Sequence, residues 1–230
     1  MKTNFKFSNC YKVLAIALIA LTSFSACSND DDNEIKADAY VRIVNASEGS
    51  PAQDFYLDST KLNSSAVAYA ESSAYLTTTD GDKLGRFKTS GTAQVNSSAN
   101  LDIDGGKYYT VYYTGGTSSS ASFTTTVDEH VNASANKAKV RFVHLSSAAA
   151  NKIDLAIQGG AKIISDLAYK SASAYQEVDA ATNFQLFTAG STTAGINLPA
   201  LNLQAGKVYT VYISGSTAFS ITYHVLVDKG

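Results

Sequence analysis

The alternation of apolar and polar residues along the chain predicts β-strands. Short runs rich in β-branched and aromatic residues have a period of two, and clusters of Gly, Ser, Asn and Asp separate them. In the run 108–114, the odd-numbered residues share one face, which we expect to lie in the core, and the even-numbered residues share a Thr-bearing face. No segment after residue 27 carries an apolar stripe with helical spacing. We therefore predict an all-β fold.

The sequence repeats itself at a shift of about 100 residues. Residues 41–44 (Val-Arg-Ile-Val) correspond to 140–143 (Val-Arg-Phe-Val), and 106–112 correspond to 206–212 in the pattern Gly-Lys-x-Tyr-Thr-Val-Tyr. Each copy has the length of a domain that buries enough surface to fold. We predict two tandem antiparallel β-sandwiches, immunoglobulin-like or transthyretin-like in build. Their expected bounds are 38–131 for the first repeat, 132–137 for a polar linker and 138–230 for the second repeat.

The N-terminal segment has the features of a lipoprotein signal peptide. Lysines precede the apolar run 13–21, which is too short for the roughly 20 residues of a membrane-spanning helix. Small residues then lead to Cys27 in the sequence Ser-Ala-Cys, which resembles the bacterial lipobox, where the cysteine is acylated after cleavage. We predict a signal peptide at 1–26 and lipidation at Cys27. The acidic residues that follow predict a solvated tether at 27–37 and resemble the surface-export signal of Bacteroidetes lipoproteins.

Composition and charge exclude several classes of protein. The chain has 45% hydrophobic residues, 17% charged residues and a formal net charge of -2, which excludes a disordered chain and a nucleic-acid binder. Cys10 leaves with the predicted signal peptide and Cys27 carries the lipid, so no thiol remains for catalysis, a disulfide or a metal site. We expect no metal and no cofactor.

Two sequence motifs in the chain resemble those of a known family. Val-Arg-Ile-Val-Asn-Ala-Ser at 41–47 and Val-Arg-Phe-Val-His-Leu-Ser-Ser at 140–147 are each followed by an Asp-led strand and, later, by Leu-x-Leu/Ile-x-x-Gly-Lys-x-Tyr-Thr-Val. This arrangement resembles the bacterial domain of unknown function 4397. The family's usual histidine is kept at His144 and replaced by Asn45 in the first copy. The resemblance implies a secreted or lipid-anchored β-domain, often in tandem, with no assigned catalytic activity.

Two arginines and two aspartates occupy equivalent places in the repeats. Arg42 and Arg141 each precede an equivalent acid, Asp54 and Asp154, and the whole chain has only one other arginine. A residue kept in both copies is most simply explained by the fold that the copies share. We therefore predict that Arg42–Asp54 and Arg141–Asp154 form structural bridges between adjacent strands. The functional alternative is a duplicated anion site.

Tyrosine and histidine supply the remaining candidates for a site. Tyr112 and Tyr212 lie on the Thr-bearing face of their strands, where they would offer an aromatic platform to a sugar ring or a protein partner. The counterpart of His144 is Asn45, which favours a hydrogen-bonding residue at a strand end over a general base. No motif combines a nucleophile, a base and an orienting group, so we predict that the chain is not an enzyme.

The sequence therefore predicts a lipoprotein anchored in the outer membrane and facing the cell exterior. Its expected role is that of a non-catalytic binding or interaction module, for carbohydrate or adhesive recognition. The alternative is a structural or assembly subunit that contacts other envelope proteins. The expected partners are the membrane, through the lipid, and a glycan or an envelope or extracellular protein, with no nucleic acid.

Overall fold

The computed structural model describes residues 36–115, 122–149, 151–193, 195–199 and 201–229. The predicted signal peptide, the lipidation site Cys27 and all but the end of the predicted tether lie outside the described residues. The described residues form β-strands and no helix. No helix in these ranges has the length and hydropathy needed to span a bilayer. The all-β prediction is confirmed.

The described strands divide between the two repeats. Those of the first repeat are β1 (Asp38–Asn45), β2 (Gln53–Leu57), β3 (Thr60–Lys61), β4 (Leu76–Thr79), β5 (Gly81–Thr89), β6 (Val95–Ile103), β7 (Tyr108–Thr114) and β8 (Ser122–Asp128). Those of the second repeat are β9 (Lys137–His144), β10 (Lys152–Ile157), β11 (Lys162–Ala168), β12 (Gln176–Asp179), β13 (Phe184–Thr188), β14 (Ile196–Leu198), β15 (Val208–Ser214) and β16 (Thr222–Lys229).

Each repeat is a sandwich of two four-stranded sheets. The inner sheets have the order β4-β1-β7-β8 in the first repeat and β12-β9-β15-β16 in the second. The outer sheets have the orders β3-β2-β5-β6 and β11-β10-β13-β14. The pairs β1–β7 and β9–β15 are parallel, whereas the other pairs are antiparallel. Loop lengths did not reveal the parallel pairs, because they constrain only strands that follow each other in sequence.

The alternation of side chains places a hydrophobic core inside each sandwich. In the first repeat, Val41, Val111, Phe55 and Phe87 are fully buried between the inner and outer sheets. The odd-numbered residues of β7 therefore face the core, as predicted. Each such side chain stabilises the sandwich by about 1.5–3 kcal/mol relative to an exposed one.

The Gly-Lys-x-Tyr-Thr-Val-Tyr motif begins with a turn that closes onto the first strand of its repeat. Gly106 has a φ of 75° and Gly206 a φ of 81°, a region that glycine adopts without steric cost. The motif tyrosine secures the preceding turn, because the Tyr109 hydroxyl accepts a hydrogen bond from the Asp104 backbone N–H at 2.9 Å. Tyr209 repeats this contact with Gln204 at 3.0 Å. This part of the motif therefore serves the fold.

The two repeats pack against each other through their inner sheets, and the chain from residue 36 onward is one compact unit. A separate hydrophobic cluster fills the space between the inner sheets, and residues of both repeats contribute to it. Its members are Val44, Ala46, Tyr112, Val143, Leu145, Tyr212 and Leu226. The Thr-bearing face of each inner sheet thus faces the other repeat instead of solvent.

Candidate functional site

Arg42 lies on the face of β1 that points toward the second repeat. Its Nε donates a hydrogen bond to Thr110 Oγ1 at 3.0 Å within its own repeat. Its Nη1 donates to the Val227 carbonyl at 3.0 Å, and its Nη2 forms an ion pair with Asp228. Both of these partners belong to the second repeat, whereas Asp128 of its own repeat lies 3.4 Å from the same Nη2. The guanidinium therefore joins the two inner sheets.

Arg141 makes the reciprocal set of contacts from the second repeat. Its Nε donates to Thr210 Oγ1 at 2.8 Å, and its Nη1 donates to the Val127 carbonyl at 2.7 Å. Its Nη2 donates to Thr126 Oγ1 at 2.9 Å and forms an ion pair with Asp128. Each arginine therefore binds the last-strand aspartate of the other repeat. We call this set of contacts the reciprocal Arg–Asp network.

A tyrosine and a threonine also donate hydrogen bonds to each aspartate in the network, and Asp128 accepts a further one from Thr126 Oγ1 at 3.0 Å. Asp128 accepts hydrogen bonds from Tyr75 Oη at 2.6 Å and from the Thr110 hydroxyl. Asp228 accepts from Tyr175 Oη at 2.8 Å and from the Thr210 hydroxyl. The tyrosine rings also lie against the arginines. The Arg42 guanidinium carbon is 4.6 Å from the ring centroid of Tyr75, and that of Arg141 is 4.7 Å from the ring centroid of Tyr175.

The network is buried, so its charges depend on one another. The side chains of Arg42 and Arg141 are 5% and 4% exposed, and those of the two aspartates are 0% exposed. Burial is the largest influence on the pKa of Arg42 and acts to lower it, but Asp228 and then Tyr75 raise that pKa above its ordinary value. Both guanidinium groups thus stay charged, and removing one partner leaves an uncompensated charge in the interior.

The predicted bridges between Arg42 and Asp54 and between Arg141 and Asp154 are wrong. Asp54 lies on β2 of the outer sheet, where its carboxylate is 2.8 Å from Lys61 Nζ, whereas Arg42 lies on the inner sheet. Asp154 likewise pairs with Lys162 Nζ at 2.8 Å. Sequence equivalence showed that these residues serve the shared fold but not which sheet or face each one occupies.

The aspartates that pair with the arginines could have been recognised as candidates in the sequence. Asp128 and Asp228 also lie at equivalent places, each after a valine near the end of its repeat. A comparison of every repeated acid with every repeated base would have included them. The choice among those acids required the arrangement of strands in space.

The Asp154 carboxylate is a buried group whose charged form is stabilised by hydrogen bonds. Burial is the largest influence on its pKa and acts to raise it, but bonds from Lys162 Nζ and from the backbone N–H groups of Asp166 and Gly190 lower that pKa below its ordinary value. Its contribution to stability is therefore present above the pKa of an unfolded aspartate. That contribution is lost as the pH falls through the lower pKa of the folded state.

We therefore expect Asp154→Asn to lower the free energy of unfolding by about 1.5–3 kcal/mol at pH 7, the value of hydrogen bonds to a charged group. The difference from the unsubstituted chain should shrink as the pH falls below about 4, since the carboxylate then becomes protonated. Urea denaturation at a series of pH values measures both effects. A difference that stays constant from pH 7 to pH 3 would contradict this account of Asp154.

Tyr112 and Tyr212 do not form an exposed platform. They are 0% and 1% exposed, and their rings meet edge to face across the repeat interface at a centroid distance of 5.9 Å. Burial, as the main cause, raises the pKa of Tyr112 to about 12. Among the described residues, neither hydroxyl has a hydrogen-bond partner. The prediction failed because the face that carries both rings is covered by the other repeat.

His144 and His224 both lie against tyrosine rings. His144 is fully buried near Tyr169, and its counterpart Asn45 bonds the backbone around it, for example by accepting from the Ser47 N–H at 3.1 Å. His224 stacks on Tyr212, and burial lowers its pKa. Within the described ranges, no group of three or more His, Cys, Asp or Glu side chains is placed to hold a metal ion.

A cleft opens between the edges of the two sheets in each repeat. The first cleft has a volume of about 300 Å³ and the second about 410 Å³. Their linings are residues 63–67, 71–74 and 76 in the first repeat and residues 163–168, 171–174 and 176 in the second. These are equivalent positions. The Ser73 and Ser173 hydroxyls accept backbone hydrogen bonds from Ile43 and Phe142, both at 3.0 Å, and so fix the wall beside the inner sheet.

Comparison with protein families gives a match over both repeats. The profile of the family described as "Domain of unknown function (DUF4397)" matches residues 39–156 and again residues 147–230. The resemblance carried by the repeated phrases is thereby confirmed. No curated protein matches the chain.

Solved structures give only distant likenesses. CBMbc, a family CBM26 module of Eubacterium rectale Amy13K in complex with maltoheptaose, is 12% identical over 82% of this chain and 96% of that chain, with a TM-score of 0.25. The Bacillus anthracis TIE protein is 7% identical over 79% of this chain and 35% of that chain, with a TM-score of 0.27. With TM-scores this low, neither likeness transfers a ligand or an activity to this chain.

Proposed function

Because the chain belongs to the DUF4397 family and contains its domain in tandem, we propose that it is a non-catalytic recognition module at the cell surface. The observation that supports this most is the reciprocal Arg–Asp network. The repeated arginines and last-strand aspartates, together with Thr110 and Thr210 of the repeated motif, join the two repeats and are buried away from any substrate. The charged residues that both repeats share therefore stabilise the fold, and the proposed recognition uses the outward surface.

The proposed location is the outer membrane, with the chain facing the cell exterior. The lipobox-like sequence before Cys27 and the acidic residues after it support a lipid anchor and a tether. In this arrangement the tether holds the two sandwiches off the membrane, and carbohydrate or adhesive recognition takes place on their outward faces.

Residues 36–230 form one compact unit and are suited to a test in solution. The proposal expects saturable binding of this unit to at least one glycan in a broad panel, with no turnover in a hydrolase screen. Robust turnover of any substrate by the purified unit would contradict the non-catalytic role. Absence of glycan binding would leave recognition of a protein as the function to test.

The equivalent clefts favour a second candidate, an assembly subunit that contacts other envelope proteins. Each cleft lies beside an edge strand, β4 in the first repeat and β12 in the second, and an extended segment can pair with such an edge. Crosslinking on intact cells distinguishes the two candidates. The assembly role expects a discrete protein partner that is crosslinked to residues 71–76 or 171–176.

A further inference from the structure

The outward face of the outer sheet in the first repeat carries side chains that the second repeat lacks. The strand register aligns Lys61, Tyr56, Arg86 and Ser98 in one row across the four strands β3, β2, β5 and β6. This row is about 14 Å wide at the usual spacing of roughly 4.8 Å between strands. Their neighbours Phe55 and Phe87 on β2 and β5 point into the core, so Tyr56 and Arg86 point outward.

The equivalent row in the second repeat has different chemistry. The register there aligns Lys162, Ala156, Gln185 and Asn197. Lys88, which follows Arg86 on the same face, corresponds to Phe187. An aromatic ring and two cations therefore distinguish the first repeat from the second, and the shared fold does not require them.

The two cations have no carboxylate partner among the described residues. Arg86 donates from Nη2 to the Asp58 backbone carbonyl, and Lys88 Nζ lies 4.2 Å from the ring centroid of Tyr56. Lys61, by contrast, is paired with Asp54. Arg86 and Lys88 are both half-buried, and Arg86 Nε is buried without a hydrogen-bond partner among the described residues. This placement suits an anionic ligand group, which would complete charge-assisted hydrogen bonds to both side chains.

We propose that this face, which we call the basic face (Tyr56, Arg86, Lys88 and Ser98), binds an acidic glycan. A carboxylate or sulfate group pairs with Arg86 and Lys88, and a sugar ring packs against Tyr56 once Lys88 turns toward the anion. Ser98 and the exposed Asn100 on β6 supply hydroxyl and amide groups for the sugar hydroxyls. An aromatic ring beside hydroxyl and amide groups suits the ring and hydroxyls of a sugar, so this composition favours a glycan over an acidic peptide. The inference rests on the proposed function and names its ligand class.

The test compares matched polymers on residues 36–230. The probes are dextran sulfate against dextran, polygalacturonate against its methyl ester, and polyglutamate as an acidic peptide. We expect binding to at least one acidic polysaccharide and not to its neutral counterpart, weakened at high salt. The double variant Arg86→Gln, Lys88→Gln should weaken that binding at least about tenfold, equivalent to about 1.4 kcal/mol. Gln at position 86 is the residue that the second repeat has at the equivalent place, so the fold accommodates it.

The control variant is Lys137→Gln, Lys152→Gln, which removes the same charge from exposed positions of the second repeat. An equal loss of affinity in the two double variants would show that binding depends on net charge alone and would overturn the inference. So would tighter binding of polyglutamate than of either acidic polysaccharide, or no binding of any acidic polysaccharide. Binding of a neutral glycan alone would contradict the proposed role of the basic face but would still support the proposed recognition function.

Discussion

Asp128→Asn is expected to lower the free energy of unfolding by about 3–5 kcal/mol, the cost of breaking a buried ion pair by removing one partner. Asp128 pairs with Arg141 of the other repeat and accepts hydrogen bonds from Tyr75 and Thr110. Its loss removes the ion pair of Arg141 and leaves the two buried guanidinium groups with Asp228 as the remaining carboxylate of the network. Urea denaturation at pH 7 measures the change.

The matched control is Asp179→Asn, which breaks the ion pair between Asp179 and Lys137. That pair is exposed, with side chains 81% and 42% accessible, so its loss should cost at most about 1 kcal/mol. A loss at Asp128 no larger than the loss at Asp179 would show that the buried network does not hold the repeats together.

Tyr112→Ala is expected to lower the free energy of unfolding by about 3–5 kcal/mol, the usual cost of removing a large buried aromatic side chain. The ring is fully buried between the repeats and packs edge to face on Tyr212. Its removal leaves a cavity at the centre of the interface. Thermal and urea denaturation of the variant measure the loss.

Tyr112→Phe keeps the ring and removes only the hydroxyl, which has no hydrogen-bond partner among the described residues. This variant should be as stable as the unsubstituted chain or slightly more stable, because an unpaired buried polar group is lost. A fully stable Tyr112→Ala variant that loses glycan binding would instead identify Tyr112 as an accessible platform and contradict the interface.

The repeated motif shows how far the sequence alone could predict this structure. Period two in the motif strand correctly predicted that Tyr109 and Val111 face the core and that Thr110 and Tyr112 share the opposite face. It did not reveal what covers that opposite face, because a strand with polar and aromatic residues on one side is compatible with solvent or with another sheet. The platform prediction for Tyr112 failed at this step.

The partners of Arg42 show a second limit. Sequence equivalence identified Arg42 and Arg141 as structural residues, and this interpretation agrees with their burial. It could not assign their partners, because each arginine forms its shorter ion pair with an aspartate of the other repeat, which becomes a neighbour only when the inner sheets pack together. Arg86, the third arginine, has no counterpart in the second repeat, and that difference directs attention to the outward face of the first repeat.

Under the proposed function, the residues that build the scaffold and those that recognise a ligand are different residues. The equivalent residues of the two repeats bind each other, so a substitution among them should alter stability before it alters binding. The residues that differ between the repeats, above all Arg86 and Lys88, lie on the outward surface and are expected to determine what the protein recognises.

A double-mutant cycle between Arg42 and Asp228 tests most directly whether the reciprocal network joins the two repeats. With Arg42→Met and Asp228→Asn, measured singly and together by urea denaturation, we expect a coupling energy of at least about 1 kcal/mol. The parallel cycle between Arg42 and Asp54, which lie in different sheets, should give coupling within about 0.5 kcal/mol of zero. Coupling to Asp54 with none to Asp228 would contradict the account and restore the bridge within a single repeat.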